Sequence, residues 1–379
     1  MVSQYLLLFA LSFAICAAIV ATRRHHARLT LRRADHLARQ AAHLDPTPRI
    51  GGVGLVAAIM VFLVFMPGGR LAFEAGLFSL SLLPVFLFGL AEDLGWPVSP
   101  RLRLMASAAS SLLVVALLGV WIRHAGIPGL DLALPLAPVA IAFTVFWVMG
   151  LCHATNLVDG VNGLSSGIAA LIALGLGAIA LKAGDPALAM VAFAMVPAIM
   201  GFFVLNWPWG LIFLGDAGAY TLGHVLGWLG IILVARNPEA AGIAVGLMFF
   251  WPVADTLFAI WRRRRAGRPT GAPDRLHFHQ LVMRTLEMVF GVRHRRRLTN
   301  PLTSVVILPL AAMPVVAGVA LWDRPAAALW ALGGFWVLYI GGYEAVLRLC
   351  RTAPARRRRA RLKAPPHAAA GMRRQADPA

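Results

Sequence analysis

"NLVDGVNGLSSG", residues 156–167, decides how the rest of this chain is read. Its aspartate, Asp159, is the only Asp, Glu, Lys or Arg between Asp131 and Lys182. A lone carboxylate inside a long apolar stretch is costly unless something compensates it. The glycines and the asparagines Asn156 and Asn162 around it mark a break between two apolar segments. An aspartate in such a break has no cheap structural purpose.

Outward from that stretch, the chain reads as membrane protein. Of its 379 residues 59% are hydrophobic and only 13% charged, with a mean hydropathy of +0.75, whereas soluble domains carry about 25% charged residues. Apolar segments long enough to span a bilayer fall at 3–22, 50–68, 76–92, 102–123, 135–151, 164–182, 186–205, 216–235, 240–261, 301–320 and 326–348. The expected fold is therefore all-α and polytopic, with about eleven transmembrane helices. The first segment has its arginines after the apolar run, unlike a cleaved signal peptide. That places the N-terminus outside and, after eleven spans, the C-terminus in the cytoplasm. Thirty of the 35 Lys and Arg residues then lie inside, as the positive-inside rule requires. Residues 1–348 are expected to form one transmembrane domain and 349–379 a basic, disordered cytoplasmic tail. The net charge of +19 is read as helix-end anchoring against anionic lipid, with no nucleic acid involved. Cys16, Cys152 and Cys350 have no paired spacing, so neither a disulfide framework nor a zinc cluster is expected.

In this topology the unusual polar sequences all fall in inside loops. Glu92, Asp93, Asp159 and Asp216, remote in sequence, are expected to meet on one membrane face. Carboxylates converging without a matching cation repel, and Mg²⁺, held by one or two carboxylates plus substrate phosphates, relieves that. Gly160, Gly163, Gly167, Gly215 and Gly218 permit close backbone approach, and the start of the helix at Asp216 offers amides to an anion. Asn156, Asn162 and Asn206 supply amide donors, and Phe213 a surface for a planar base. Plainer readings stand beside these: Asp216 as a helix N-cap, Phe213 as packing, and Asp255 paired with Arg262 and Arg263 two turns on. His277 and His279, two apart, share a face in an extended loop. With Arg275 beside them they point to phosphate rather than zinc, which would want further Cys or His ligands.

Five motifs in order resemble the polyprenyl-phosphate N-acetylhexosamine-1-phosphate transferases (glycosyltransferase family 4). These are "PTPRIGG", "AEDL", "NLVDGVNGL", "NWPWGLIFLGDAG" and, in part, "HFHQ". The family includes undecaprenyl-phosphate N-acetylglucosamine-1-phosphate transferases and phospho-N-acetylmuramoyl-pentapeptide transferases. The similarity covers about residues 43–281. It departs at Glu92, where Asp is usual, and at Gln280, where a third His is usual. The resemblance implies transfer of a sugar-1-phosphate from a UDP-sugar to undecaprenyl phosphate or another polyprenyl phosphate, priming cell-surface polysaccharide. The products are a polyprenyl-diphospho-sugar and UMP. It also implies an inner-membrane enzyme working at the cytoplasmic face, with Mg²⁺ as cofactor and Mn²⁺ as the alternative. Asp216 would be the main metal ligand and Asp159 a co-ligand or catalytic group. Asp93, assisted by Glu92, would position or deprotonate the lipid phosphate. Asn156, Asn162 and Phe213 would hold the uridine, Asn206 would be a further substrate-binding residue, and Arg49, Arg275, His277 and His279 would face the sugar or phosphates. A groove opening to lipid would take the acceptor's chain. Relatives often pair, so a homodimer is an open alternative, and the pentapeptide-type step is the alternative within the family. Outside it stand a secondary transporter, which would place charges at the bilayer midplane and show internal repeats, and a scaffold, which needs none of the acidic motifs.

Overall fold

The computed structural model describes residues 2–25, 47–267, 276–290 and 296–363, with side chains to 352. Thirteen helices follow one another with no strand among the described residues: α1 (Val2–Ala21), α2 (Gly52–Val64), α3 (Gly69–Asp93), α4 (Pro100–Leu118), α5 (Ala137–Val158), α6 (Leu164–Lys182), α7 (Pro186–Asn206), α8 (Gly215–Arg236), α9 (Gly242–Met248), α10 (Phe250–Arg265), α11 (Phe278–Val289), α12 (Arg296–Ala320) and α13 (Pro325–Lys363). Nine of them are long and apolar enough to cross a bilayer, and α9 with α10 adds a tenth if that bent pair is one span. The chain is thus a multi-pass membrane protein.

Each expected span corresponds to a helix, but two differ in kind. The second is only 13 residues long, because "FMPGG" at 65–69, apolar at its start, stops the helix. The ninth bends by 78° at Phe249. Pro252 lacks the N–H that would bond to the carbonyl of Met248, so the ladder breaks there and α10 starts afresh. The C-terminal boundary differs as well: no break occurs at 348, and the backbone of α13 continues helical to Lys363. Residues 364–379 lie outside the described residues.

The most enclosed helix is α8, buried along nearly its whole length and packed on α2, α3, α5 and α6. Helix association in lipid relies on close packing more than on apolar transfer, since the tails are as apolar as the side chains. At Gly218 and Gly52 a Cβ on either glycine would strike the other's backbone, so both glycines are needed for this approach. Outward faces remain apolar, with Leu7, Leu87, Phe146, Trp330 and Val337 all exposed, as lipid contact requires. By chain alternation, the C-terminal ends of α3, α5 and α7 and the N-terminal ends of α2, α4, α6 and α8 share one end of the bundle. That end holds the polar residues singled out above.

Candidate functional site

Two extended segments prepare the site before any carboxylate enters it. Residues 47–52 run beside 210–214: the Phe213 amide donates to Pro48 O (2.8 Å), Gly51 to Phe213 O (2.9 Å) and Gly52 to Leu214 O (2.8 Å). Thr47 Oγ1 donates to Gly210 O at 3.3 Å. Two asparagines then fasten the aspartate loop to this pair. Gly163 N–H donates to Asn206 Oδ1 (2.6 Å), and Asn206 Nδ2 to Ile212 O (2.8 Å). Asn162 Nδ2 donates to Pro208 O (2.9 Å), its amide N–H to Asn300 Oδ1 (2.8 Å), and its carbonyl accepts from Ser304 Oγ (2.5 Å). Both side chains are buried. A buried loop must satisfy its backbone polar groups, and these amides do that.

The loop leads into α8 through Gly215, whose φ of +74° is a left-handed conformation that glycine adopts freely. A Cβ there would collide with the Arg49 carbonyl and the Asp93 carboxylate. Asp93, 1% exposed, accepts the Asp216 amide on Oδ1 and the Ala217 amide on Oδ2, each at 2.9 Å. It therefore caps α8 from another helix.

The Asp216 side chain, 6% exposed, turns the other way. Asn156 Nδ2 donates to its Oδ1 at 2.7 Å. Arg49 Nη2 lies 3.9 Å from Oδ1 and Arg103 Nη1 lies 3.7 Å from Oδ2. Arg103 also reaches Glu92 Oε2 at 3.2 Å and the Tyr220 hydroxyl at 3.5 Å. The sequence-based premise that these acids lack a matching cation is thus overturned, because two arginines converge on Asp216. Asp159 follows the last turn of α5. Burial pushes its carboxyl up to about 7; Arg49 pulls it down and Asp216 adds to the rise. It is partly accessible at its surface yet surrounded by protein.

The histidines meet the same end from the other side. His277 is the N-cap of α11 rather than part of an extended loop, and its ring stacks on His279 with centroids 5.7 Å apart. Asp255 does not rely on the arginines two turns on. It binds His277 Nδ1 (2.7 Å), the Phe278 amide (3.0 Å) and the Tyr339 hydroxyl (2.8 Å). The ring of His279 fills the space where a Cβ on Gly160 would stand, which places it beside the aspartate loop. Burial lowers the His279 pKa to about 4, with Asp255 raising it and His277 lowering it further. Arg275 lies outside the described residues. Phe213, half-buried, has its backbone fully engaged with residues 48 and 51.

Three residues at this site carried no sequence signal that was used. Arg103 looked like one more helix-end arginine. Tyr220 stands one turn beyond Asp216 on α8, a spacing that could have found it. Asn300 belongs to a helix without diagnostic motifs. Among the described residues no group of three or more ligating side chains gathers as a metal site. Asp159 and Asp216 offer two carboxylates, and this hard-oxygen set fits an ion whose remaining ligands are waters and substrate phosphates better than a closed protein cage. Farther along the bundle, a cavity of about 670 Å³ is lined by Phe143, Trp147, Gly230, Phe249, Val253 and Trp336 among others, where the α9–α10 bend opens the packing.

The profile of glycosyl transferase family 4 matches residues 75–234, a span that includes Asp93, Asp159 and Asp216. The chain is 26% identical over 291 residues to the undecaprenyl-phosphate alpha-N-acetylglucosaminyl 1-phosphate transferase of Yersinia pestis, covering 74% of this chain and 75% of that one. It is 29% identical over 251 residues to the protein of that name from Salmonella typhi, covering 64% and 66%. It is 26% identical over 290 residues to the decaprenyl-phosphate N-acetylglucosaminephosphotransferase of Mycobacterium tuberculosis strain H37Rv, covering 67% and 68%.

Proposed function

We propose, from the premise that residues 75–234 are a glycosyl transferase family 4 domain, that this membrane protein transfers an N-acetylhexosamine-1-phosphate from a UDP-sugar to a polyprenyl phosphate. The observation that carries the reading is the meeting of Asp216, Asn156, Arg49 and Arg103 beside Asp159 at one end of the bundle. A phosphate oxygen of the lipid attacks the β-phosphorus of the donor. One P–O bond forms, the bond from that phosphorus to the bridging oxygen breaks, and UMP leaves with that oxygen. No strong base is needed, because a phosphate monoester with a second pKa of about 6 is largely dianionic at neutral pH.

Such a transfer asks for charge neutralisation and alignment above all. Mg²⁺, with Mn²⁺ as the alternative, bound to Asp216, Asp159 and the donor's pyrophosphate would stabilise the charge that develops in transfer. Arg49 and Arg103 hold Asp216 in place and face the phosphates. His279, against Gly160, lines the sugar side, and Phe213 and Asn156 border the nucleotide. The apolar cavity takes part of the acceptor's chain. The bias of the basic residues supports a site at the cytoplasmic face of the inner membrane, and the relatives' names make N-acetylglucosamine the first sugar to try.

The test offers purified protein a panel of UDP-sugars with undecaprenyl phosphate and Mg²⁺, following UMP release and the mass of the lipid product. A UDP-N-acetylhexosamine should yield polyprenyl-diphospho-sugar. Absence of any lipid-linked sugar across the panel overturns the reading.

A further inference from the structure

We infer that Asp93 is a positioning residue: it acts as the N-cap of α8 supplied from α3 and takes no part in proton transfer. The inference rests on the transfer reaction proposed above and concerns how its main carboxylate is aimed. Both Asp93 oxygens accept backbone amides, from Asp216 and Ala217, at 2.9 Å. The residue is 1% exposed, and Gly215 packs so closely that a single added carbon would strike the carboxylate. No phosphate can reach these oxygens without displacing Gly215, whose own neighbour is Asp216.

The arrangement has a physical purpose. The first amides of a helix lack partners within it, and α8 begins at the residue before Asp216. Local capping would need a side chain just ahead of the helix, where Leu214 and Gly215 stand, and neither has a polar side chain. The longer route recruits a carboxylate 123 residues away in sequence. The carboxyl oxygens satisfy amides that would otherwise be unpaired and sit at the positive end of the helix dipole. The bonds fix the Asp216 backbone from one side while Asn156 and the two arginines fix its carboxylate from the other. Asp93 thereby sets where Asp216 points.

A cap and a base are separated by residues that can do one task and not the other. Asn keeps one of the two acceptor oxygens but cannot act as a base, whereas Ala keeps neither. Asp93→Asn should lose about tenfold in kcat with the acidic limb of the pH profile unmoved, and Asp93→Ala on the order of 10²-fold through misplacement of Asp216. Binding of Mn²⁺, followed by electron paramagnetic resonance without substrates, should weaken in step with kcat across the two variants. A loss in Asp93→Asn as large as in Asp93→Ala, with Mn²⁺ binding and unfolding temperature both parental, would overturn the inference. If Asp93→Ala does not fold, a shifted acidic limb in Asp93→Asn at parental Mn²⁺ binding overturns it alone. A parent protein that makes no lipid-linked sugar would instead overturn the reaction itself.

Discussion

The two ends of this bundle treat buried acids differently. At the end away from the site, Asp185 and Glu74 are each settled with one close arginine. Asp185 meets Arg236 Nε at 2.6 Å and accepts the Leu188 amide at 3.0 Å, and Glu74 meets Arg70 at 2.7 Å. Burial alone would raise the Asp185 pKa, but the Arg236 hydrogen bond, the Leu188 amide and the Arg236 charge hold it below the usual carboxylate value. Around Asp216 nothing is settled in pairs. Asp216 shares two guanidinium groups at 3.7 and 3.9 Å, both longer than a direct ion pair, and Arg103 divides itself among Glu92, Asp216 and Tyr220. A compact pair is finished structure. A spread of charges at longer range leaves room for a further charged group, and departures from local satisfaction of this kind gather at functional sites.

Exchanging the same atoms at the two ends breaks this comparison most sharply. Asp216→Asn should lower UMP release by roughly 10³-fold or more, since it removes the carboxylate that would hold a divalent ion against the reacting phosphates. Asp185→Asn, the same change at the other end, should leave turnover at the parental level. Equal losses in the two variants would mean that the ends do not differ. Next in size, Arg103→Gln should lower kcat by about 10²-fold. Arg103→Lys should recover only part of that, because a point charge cannot serve three oxygens as a planar fork does. Smaller again, Asp185→Ala should leave kcat unmoved and cost about 1–2 kcal/mol of stability, the usual loss for a helix cap, read from thermal unfolding in detergent.

Much of the fold was legible because hydropathy sums along the chain, and a lipid-facing helix needs only its own residues to be recognised. The details that escaped depend on single atoms. Phe65 and Met66 read as span, yet "PGG" ends the helix before them, and the missing N–H of Pro252 bends a run that reads as continuous. At the site, Asp159, Asp216 and Asn156 stood out because polar residues are rare where they lie. Asn162 and Asn206 stood out for the same reason, but that they tie down backbone was hidden, since the sequence does not tell an amide that meets a ligand from one that holds a loop. Arg103 was hidden by abundance, among many arginines at helix ends. For Asp255 a pairing with Arg262 and Arg263 was one of two readings, visible from their spacing along one helix, while its partner His277 lies beyond that helix, 22 residues on.

Acid should separate the two ends by pH, although this is the smallest effect expected. His279 takes a proton at about 6.5 in an unfolded chain but only at about 4 where it is buried. The unfolded state therefore binds that proton first, and stability at α11 falls as pH drops from about 6.5 to about 4, then levels off. Asp185 has a folded value below its unfolded one. Its contribution is complete above about 3.9 and is lost only as pH falls further. Between about pH 6.5 and pH 4, then, α11 should loosen while the start of α7 holds. Amide hydrogen exchange, corrected for the intrinsic effect of pH, should show protection of Phe278–Val289 declining across that window and the amides around Leu188 unchanged. His279→Gln, which cannot take the proton, should flatten the decline. If α11 and the start of α7 lose protection together, the contrast between a settled end and a poised one does not extend to their response to acid.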